Sequence, residues 1–140
     1  MLGIVPGMAG MHDVDDYPSA RVVPGLMIYR YDSPLFFANA EDFRLRALAS
    51  VGEAEIPVRW FVLNAEAISE VDITATDALE ELRKELNRRG IEVGIARMKE
   101  ELRDELTGTA FLRQVPAGRI FATLPTTVEA YREWEAGSPS

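Results

Sequence analysis

"VRWFVLNAEAISEVDITATDALEEL", residues 58–82, passes from one periodicity to another. Val58 to Ala65 is a nearly unbroken apolar run with β-branched and aromatic content, the pattern of a central strand buried on both faces. Further on, Ala78, Leu79, Leu82 and Leu86 recur at helical spacing opposite a charged face, and Gly90 is placed to stop the helix after Arg89. Strand, loop and helix in that order form the repeating half of a parallel α/β sheet. Thr74, with Asp77 three residues later, has capping-box spacing at the helix start. Its hydroxyl can accept from a first-turn N–H, worth about 1 kcal/mol. Asp72 and Asp77 favour the positive end of the helix dipole. The same hydroxyl, exposed beside a strand end, could instead receive a phosphate of nearly two negative charges.

The pattern extends both ways. Upstream, Pro24-Gly25 marks a turn, Leu26 to Tyr31 is β-prone, "DSP" turns the chain, and "LFFA" resumes as a short second strand. Those two strands predict an antiparallel hairpin. "NAEDFRLRALASVG" reads as a helix with Asn39 and Asp42 at capping-box spacing, apolar positions Phe43, Ala47, Leu48 and Val51, and Gly52 as its end. Downstream come a strand, "IEVGIAR", and a helix, "MKEELRDELTGTAF", carrying Met98, Leu102 and Leu106 and ended by Gly108. A short strand, "GRIFATL", precedes a closing helix, "PTTVEAYREWEAG", with Thr126 and Glu129 at capping-box spacing and Val128, Tyr131 and Trp134 facing inward. The expected fold is α/β: a mixed, mostly parallel sheet of about 4–5 strands with an N-terminal antiparallel hairpin, flanked by about 4–5 helices.

Composition narrows the function. The chain has 140 residues, 47% hydrophobic and 27% charged, as in one soluble domain. A net charge of −8 disfavours nucleic acid and anionic membrane surfaces. With no cysteine, disulfides, thiol catalysis and zinc–thiolate sites are excluded. The single histidine, His12, lies in the acidic stretch "MHDVDDYP", which reads as solvated linker; no metal site is expected. Neither phosphate-cradling glycine motif occurs. "KEELRDEL" reads as a solvated face rather than a catalytic acid/base pair. No catalytic residues stand out and no enzyme is expected. No apolar run approaches the ~20 residues that span a bilayer. Glycine and proline punctuate the first twenty residues, as in a linker.

"VDITATDALEEL" after "WFVLNAEAISE" resembles the signature of STAS domains, the fold shared by sulfate transporters and anti-sigma-factor antagonists. Asp72 matches the family's Asp, and Thr74 matches the hydroxyl phosphorylated in the antagonists. Ile73 replaces a hydroxyl residue of the pattern, Ala75 replaces its glycine, and Asn64 stands where many members have Asp. "LGIVPG" and "YPSARVVPGLMIYRYDSPLFFANAEDF" are similar to the SulP transporter branch in particular, with "PLFFANA" the most specific piece.

The resemblance implies a linker from a membrane domain over 1–20, a STAS domain over 21–136 and a tail over 137–140. It implies a non-catalytic cytoplasmic domain, at the inner face of the membrane, that supports assembly and modulates anion transport. Its partners would be the transmembrane domain of the same transporter, a second copy, or a regulatory protein, and not nucleic acid. No cofactor is required; GTP, GDP or ATP would act as a regulatory ligand near Asn64, Glu66, Ser69, Asp72 and Thr74. Thr74 and Asp72 are the regulatory candidates. The alternative is a soluble anti-sigma antagonist switched by phosphorylation at Thr74. In either case Phe36 and Phe37 are expected to anchor the second strand in the core.

Overall fold

The computed structural model describes residues 23–31, 35–68 and 70–137. Four strands, β1 (Leu26–Arg30), β2 (Trp60–Asn64), β3 (Glu92–Ala96) and β4 (Ile120–Phe121), lie side by side in chain order. Every described pairing is parallel, with Leu26 opposite Trp60, Trp60 opposite Glu92 and Ile95 opposite Ile120. Between them run α1 (Phe37–Glu53), α2 (Ile73–Arg88), and the short α3 (Glu100–Leu106) and α4 (Ala110–Gln114); α5 (Leu124–Gly137) follows β4.

Strand order dictates the layering. Parallel crossovers are right-handed, so strands added in one direction put all their connecting helices on one face. Phe61, Leu63, Val93 and Ile95 accordingly meet Phe43 and Ala47 of α1, Leu79 and Leu82 of α2, Leu102 and Leu106 of α3, and Phe111 of α4. Alternation sends Trp60, Val62, Ala96 and Phe121 to the other face, where α5 supplies Leu124 and Tyr131. β2 is buried along its whole length, as its apolar run predicts. Tyr131 packs edge-on to Trp60 at 5.1 Å, and its hydroxyl donates to the Pro24 carbonyl at 2.7 Å. That phenol occupies the space a side chain at Gly25 would need, and Gly25 has a φ of +89°. Arg119 and Arg59 lie over the Trp60 and Trp134 rings at 4.2 and 4.6 Å, laying aliphatic stems and cations along this face.

The expected hairpin is not formed. Leu35 makes a single parallel bridge to Val71, and Phe37 already opens α1. β1 gives its ladder to β2 instead. The helix wins because its first N–H groups find acceptors: Phe36 N donates to Asn39 Oδ1 at 3.0 Å and Phe37 N to Asp72 Oδ2 at 2.8 Å. Phe36 and Phe37 are therefore not core anchors; they are 40% and 70% exposed.

Helix starts also move. Phe36, Asp72 and Thr123 cap α1, α2 and α5, and Asn39, Thr74 and Thr126 lie inside the first turns. Thr123 and Thr126 each accept from the other's main-chain N–H, a capping box three residues upstream of the expected one. α1 runs one residue past Gly52. Gly90 and Gly108, both at positive φ, sit just beyond α2 and α3 as expected. The extra helix α4 is capped by Thr109, whose hydroxyl accepts from Leu112 N at 3.3 Å. The expected linker over 1–20, the "DSP" turn and the last three residues lie outside the described residues.

Candidate functional site

All strands being parallel, their C-terminal ends share one edge, where the β2–α2 loop carries the expected site residues. Asn64 ends β2 and is 3% exposed; its Oδ1 accepts from Glu66 N at 3.1 Å, turning the chain out of the sheet. Ala65 N donates to Ala96 O at 2.8 Å, and Ile68 is buried, so the loop is fastened on both sides of Glu66.

Glu66 takes one arginine on each carboxylate oxygen. Arg30, at the end of β1, reaches Oε1 at 3.2 Å, and Arg97, just after β3, reaches Oε2 at 3.0 Å. Arg97 has a φ of 59°, the left-handed region a non-glycine residue seldom adopts, and its main-chain N–H donates to Phe121 O at 3.0 Å. The ends of three neighbouring strands are thus clasped through one carboxylate. The three side chains are 21–38% exposed, so the clasp orders the edge more than it stabilises it.

Asp72 serves two helices. Its Oδ1 accepts from Ala75 N at 2.9 Å and caps α2, and its Oδ2 accepts from Phe37 N in α1. Thr74, with an exposed side chain, is the second residue of α2 and not its cap. Glu105 of α3 accepts from Val71 N at 3.0 Å, tying the loop end to the third helix.

The expected residues therefore divide. Asn64 and Glu66 belong to the strand-end clasp, and Asp72 and Thr74 to the paired helix starts; Ser69 and His12 lie outside the described residues. Sequence reasoning passed over Arg30 and Arg97. Their signal was present, since each is a basic residue closing a β-prone run, but their meeting at Glu66 depends on the parallel register. Ile73, noted in the sequence only as a departure from the family pattern, is 79% exposed in the first turn of α2.

No group of three or more His, Cys, Asp or Glu among the described residues is placed to hold a metal ion. No helix among them is long and apolar enough to cross a membrane.

Residues 17–127 match the STAS domain family. A Mycobacterium tuberculosis protein named as a probable sulfate transporter is 58% identical over 132 residues, covering 94% of this chain and 24% of that protein. The chain thus spans about a quarter of that relative's length. The STAS domain of a Vibrio cholerae SulP transporter has a TM-score of 0.68 at 22% identity, covering 89% of this chain and 95% of that one. A Thermotoga maritima protein assigned as an anti-sigma factor antagonist has a TM-score of 0.66 at 17% identity, covering 80% and 92%. The two structural likenesses show a shared fold and do not separate its branches; the match over residues 17–127 shows that this chain belongs to the STAS domain family.

Proposed function

We propose that the chain is the non-catalytic regulatory and assembly domain of a SulP sulfate or anion transporter, held at the cytoplasmic face of the membrane. The observation that carries this is the 58% identity to a protein named as a probable sulfate transporter, of which the matched region is one quarter. The site supports contact rather than chemistry: Asn64 and Asp72 have main-chain donors, and Glu66 is held by two guanidinium groups. A nucleotide regulator (GTP, GDP or ATP) would use Arg30 and Arg97, exchanging Glu66 for phosphate. Calorimetric titration of the protein with each nucleotide tests that part separately.

The test of the main reading is sulfate uptake by cells carrying the full polypeptide, intact or with residues 21–136 deleted, at matched amounts in the membrane. Altered uptake supports a regulatory domain, and unchanged uptake and assembly argue against one.

One observation favours the second reading, a phosphorylation-switched antagonist. Thr74 is exposed and has no capping duty, so a kinase could modify it without first breaking a helix cap. Incubation with an anti-sigma kinase, comparing wild type with Thr74→Ala, decides whether the hydroxyl is used.

A further inference from the structure

We propose that Arg30 and Arg97 form a binding site for a small tetrahedral oxyanion, sulfate above all, and that Glu66 is its internal competitor, a carboxylate of the chain itself that closes the site until the anion displaces it. The proposal rests on the transporter reading above for its purpose, a domain that reads the level of the anion being moved. The binding itself does not depend on that reading.

Glu66 shows what the two arginines accept. Arg30 meets its Oε1 at 3.2 Å and Arg97 its Oε2 at 3.0 Å, so two guanidinium groups already face two oxygens of one anion. An edge of sulfate presents two oxygens at nearly the spacing of a carboxylate, and guanidinium donors suit both. The clasp sets two positive charges against one negative; a dianion matches both.

Arg97 is held for this contact. Its left-handed backbone, at φ 59°, lies between buried Ala96 and core-packed Met98, and its main-chain N–H is fixed to Phe121 O. Glycine would take that conformation without strain. An exposed ion pair adds little to stability, so stability does not account for an arginine there. Backbone strain of this kind gathers at ligand clamps.

Place and access set the size of the ligand. The clasp lies at the carboxyl ends of β1, β2 and β3, the edge where parallel α/β sheets bind ligands. Strand order does not reverse among the described residues, so the crevice of a nucleotide-binding sheet is not formed, and a small ion suits this edge better. Glu66 is 35% exposed and open to solutes. Ala65 stays fastened to Ala96, Glu66 N to Asn64, and Ile68 is buried, so exchange needs only the Glu66 side chain to swing out. A competitor in place about nine-tenths of the time weakens the anion's apparent affinity about tenfold.

The experiment titrates the 140-residue chain with sodium sulfate at constant ionic strength, sodium chloride making up the balance, and follows the Glu66 and Arg97 amides and the Arg97 Nε–H by NMR. Expected are saturable shifts at these groups, binding about tenfold tighter in Glu66→Gln, and loss of binding when Arg97→Ala is added to that variant. Arg30→Gln should lose it too, and serves if Arg97→Ala does not fold. Phosphate dianion binding at the same groups supports the shared chemistry. Equal affinity in wild type and Glu66→Gln, no saturable shift in Glu66→Gln, or affinity indifferent to both arginines overturns the site. ATP or GTP binding more tightly than sulfate overturns the small-ion assignment. Failure of the transporter reading shows in sulfate uptake, and failure of this site shows in the titration, so the two are distinguishable.

Discussion

Asp72 Oδ2 lies 2.8 Å from the main-chain nitrogen of Phe37, a residue 35 positions earlier, while its other oxygen caps its own helix. One carboxylate thereby satisfies a first-turn donor in each of two adjacent helices. Asp72→Ala removes both acceptors and is expected to cost about 2 kcal/mol, twice a single cap. Asp72→Asn, with one acceptor oxygen, should fall between. Urea denaturation at constant m checks the ranking.

Thr74→Ala, two residues on, should lie within about 0.5 kcal/mol of wild type, because the hydroxyl is exposed and outside the cap. The sequence alone predicts the reverse, a cost of about 1 kcal/mol, from capping-box spacing. The same denaturation series decides between them.

Gly25 and Tyr131 are coupled by space. Gly25→Ala puts a methyl group into the Tyr131 hydroxyl and forces φ +89° on a non-glycine residue, so it should cost more than the about 1 kcal/mol of Tyr131→Phe, which loses the hydroxyl's bonds to Pro24 and Arg59 without a clash. The double variant should be less destabilised than the sum of the singles, since removing the hydroxyl clears part of the overlap. Thermal melts of the four proteins measure this.

Burial pushes the Tyr29 phenol up from 10.0 to about 12, between Phe43 and Phe61. Its neutral form is the one the fold favours. That contribution is complete below pH 10.0 and is lost as the pH rises towards about 12. Tyr29→Phe should flatten the alkaline fall in melting temperature. The opposite sign holds for Glu80, held below the usual carboxylate range by its hydrogen bond to Arg83 on α2. Its contribution is present above the ordinary value of 4.5 and fades as the pH falls below it, so Glu80→Gln should flatten the acid limb.

Glu66→Gln leaves Arg30 and Arg97 facing each other without the charge that joins them. The expected loss is small, about 0.5–1 kcal/mol, and should shrink with added salt as the repulsion is screened. A loss unaffected by salt would point to a packing defect instead.

What the sequence carried, and what it did not, follows from the range of each interaction. β2 and the apolar stripe of α2 were legible because period and burial are local signals. The caps were not: Asn39, Thr74 and Thr126 have the residue types of caps, but each is inside a first turn. Where the helix begins depends on where the chain leaves its pairing, and for α1 that is the Leu35–Val71 bridge between distant segments. Phe36 and Phe37 read as strand because aromatic residues favour strands, a preference that holds only where the pleated surface is half-buried. Here they stand exposed at a helix start. The Arg30–Glu66–Arg97 clasp joins three strand ends, so it exists only once the parallel register is set.

As proposed, this domain is one part of an anion transporter. An antibody against it, applied to fractionated source cells, tests that most directly. A single band several times larger than the domain, confined to the membrane fraction, is the predicted result. A soluble band of the domain's own size would contradict it and leave the antagonist reading, with Thr74 as its switch, in its place.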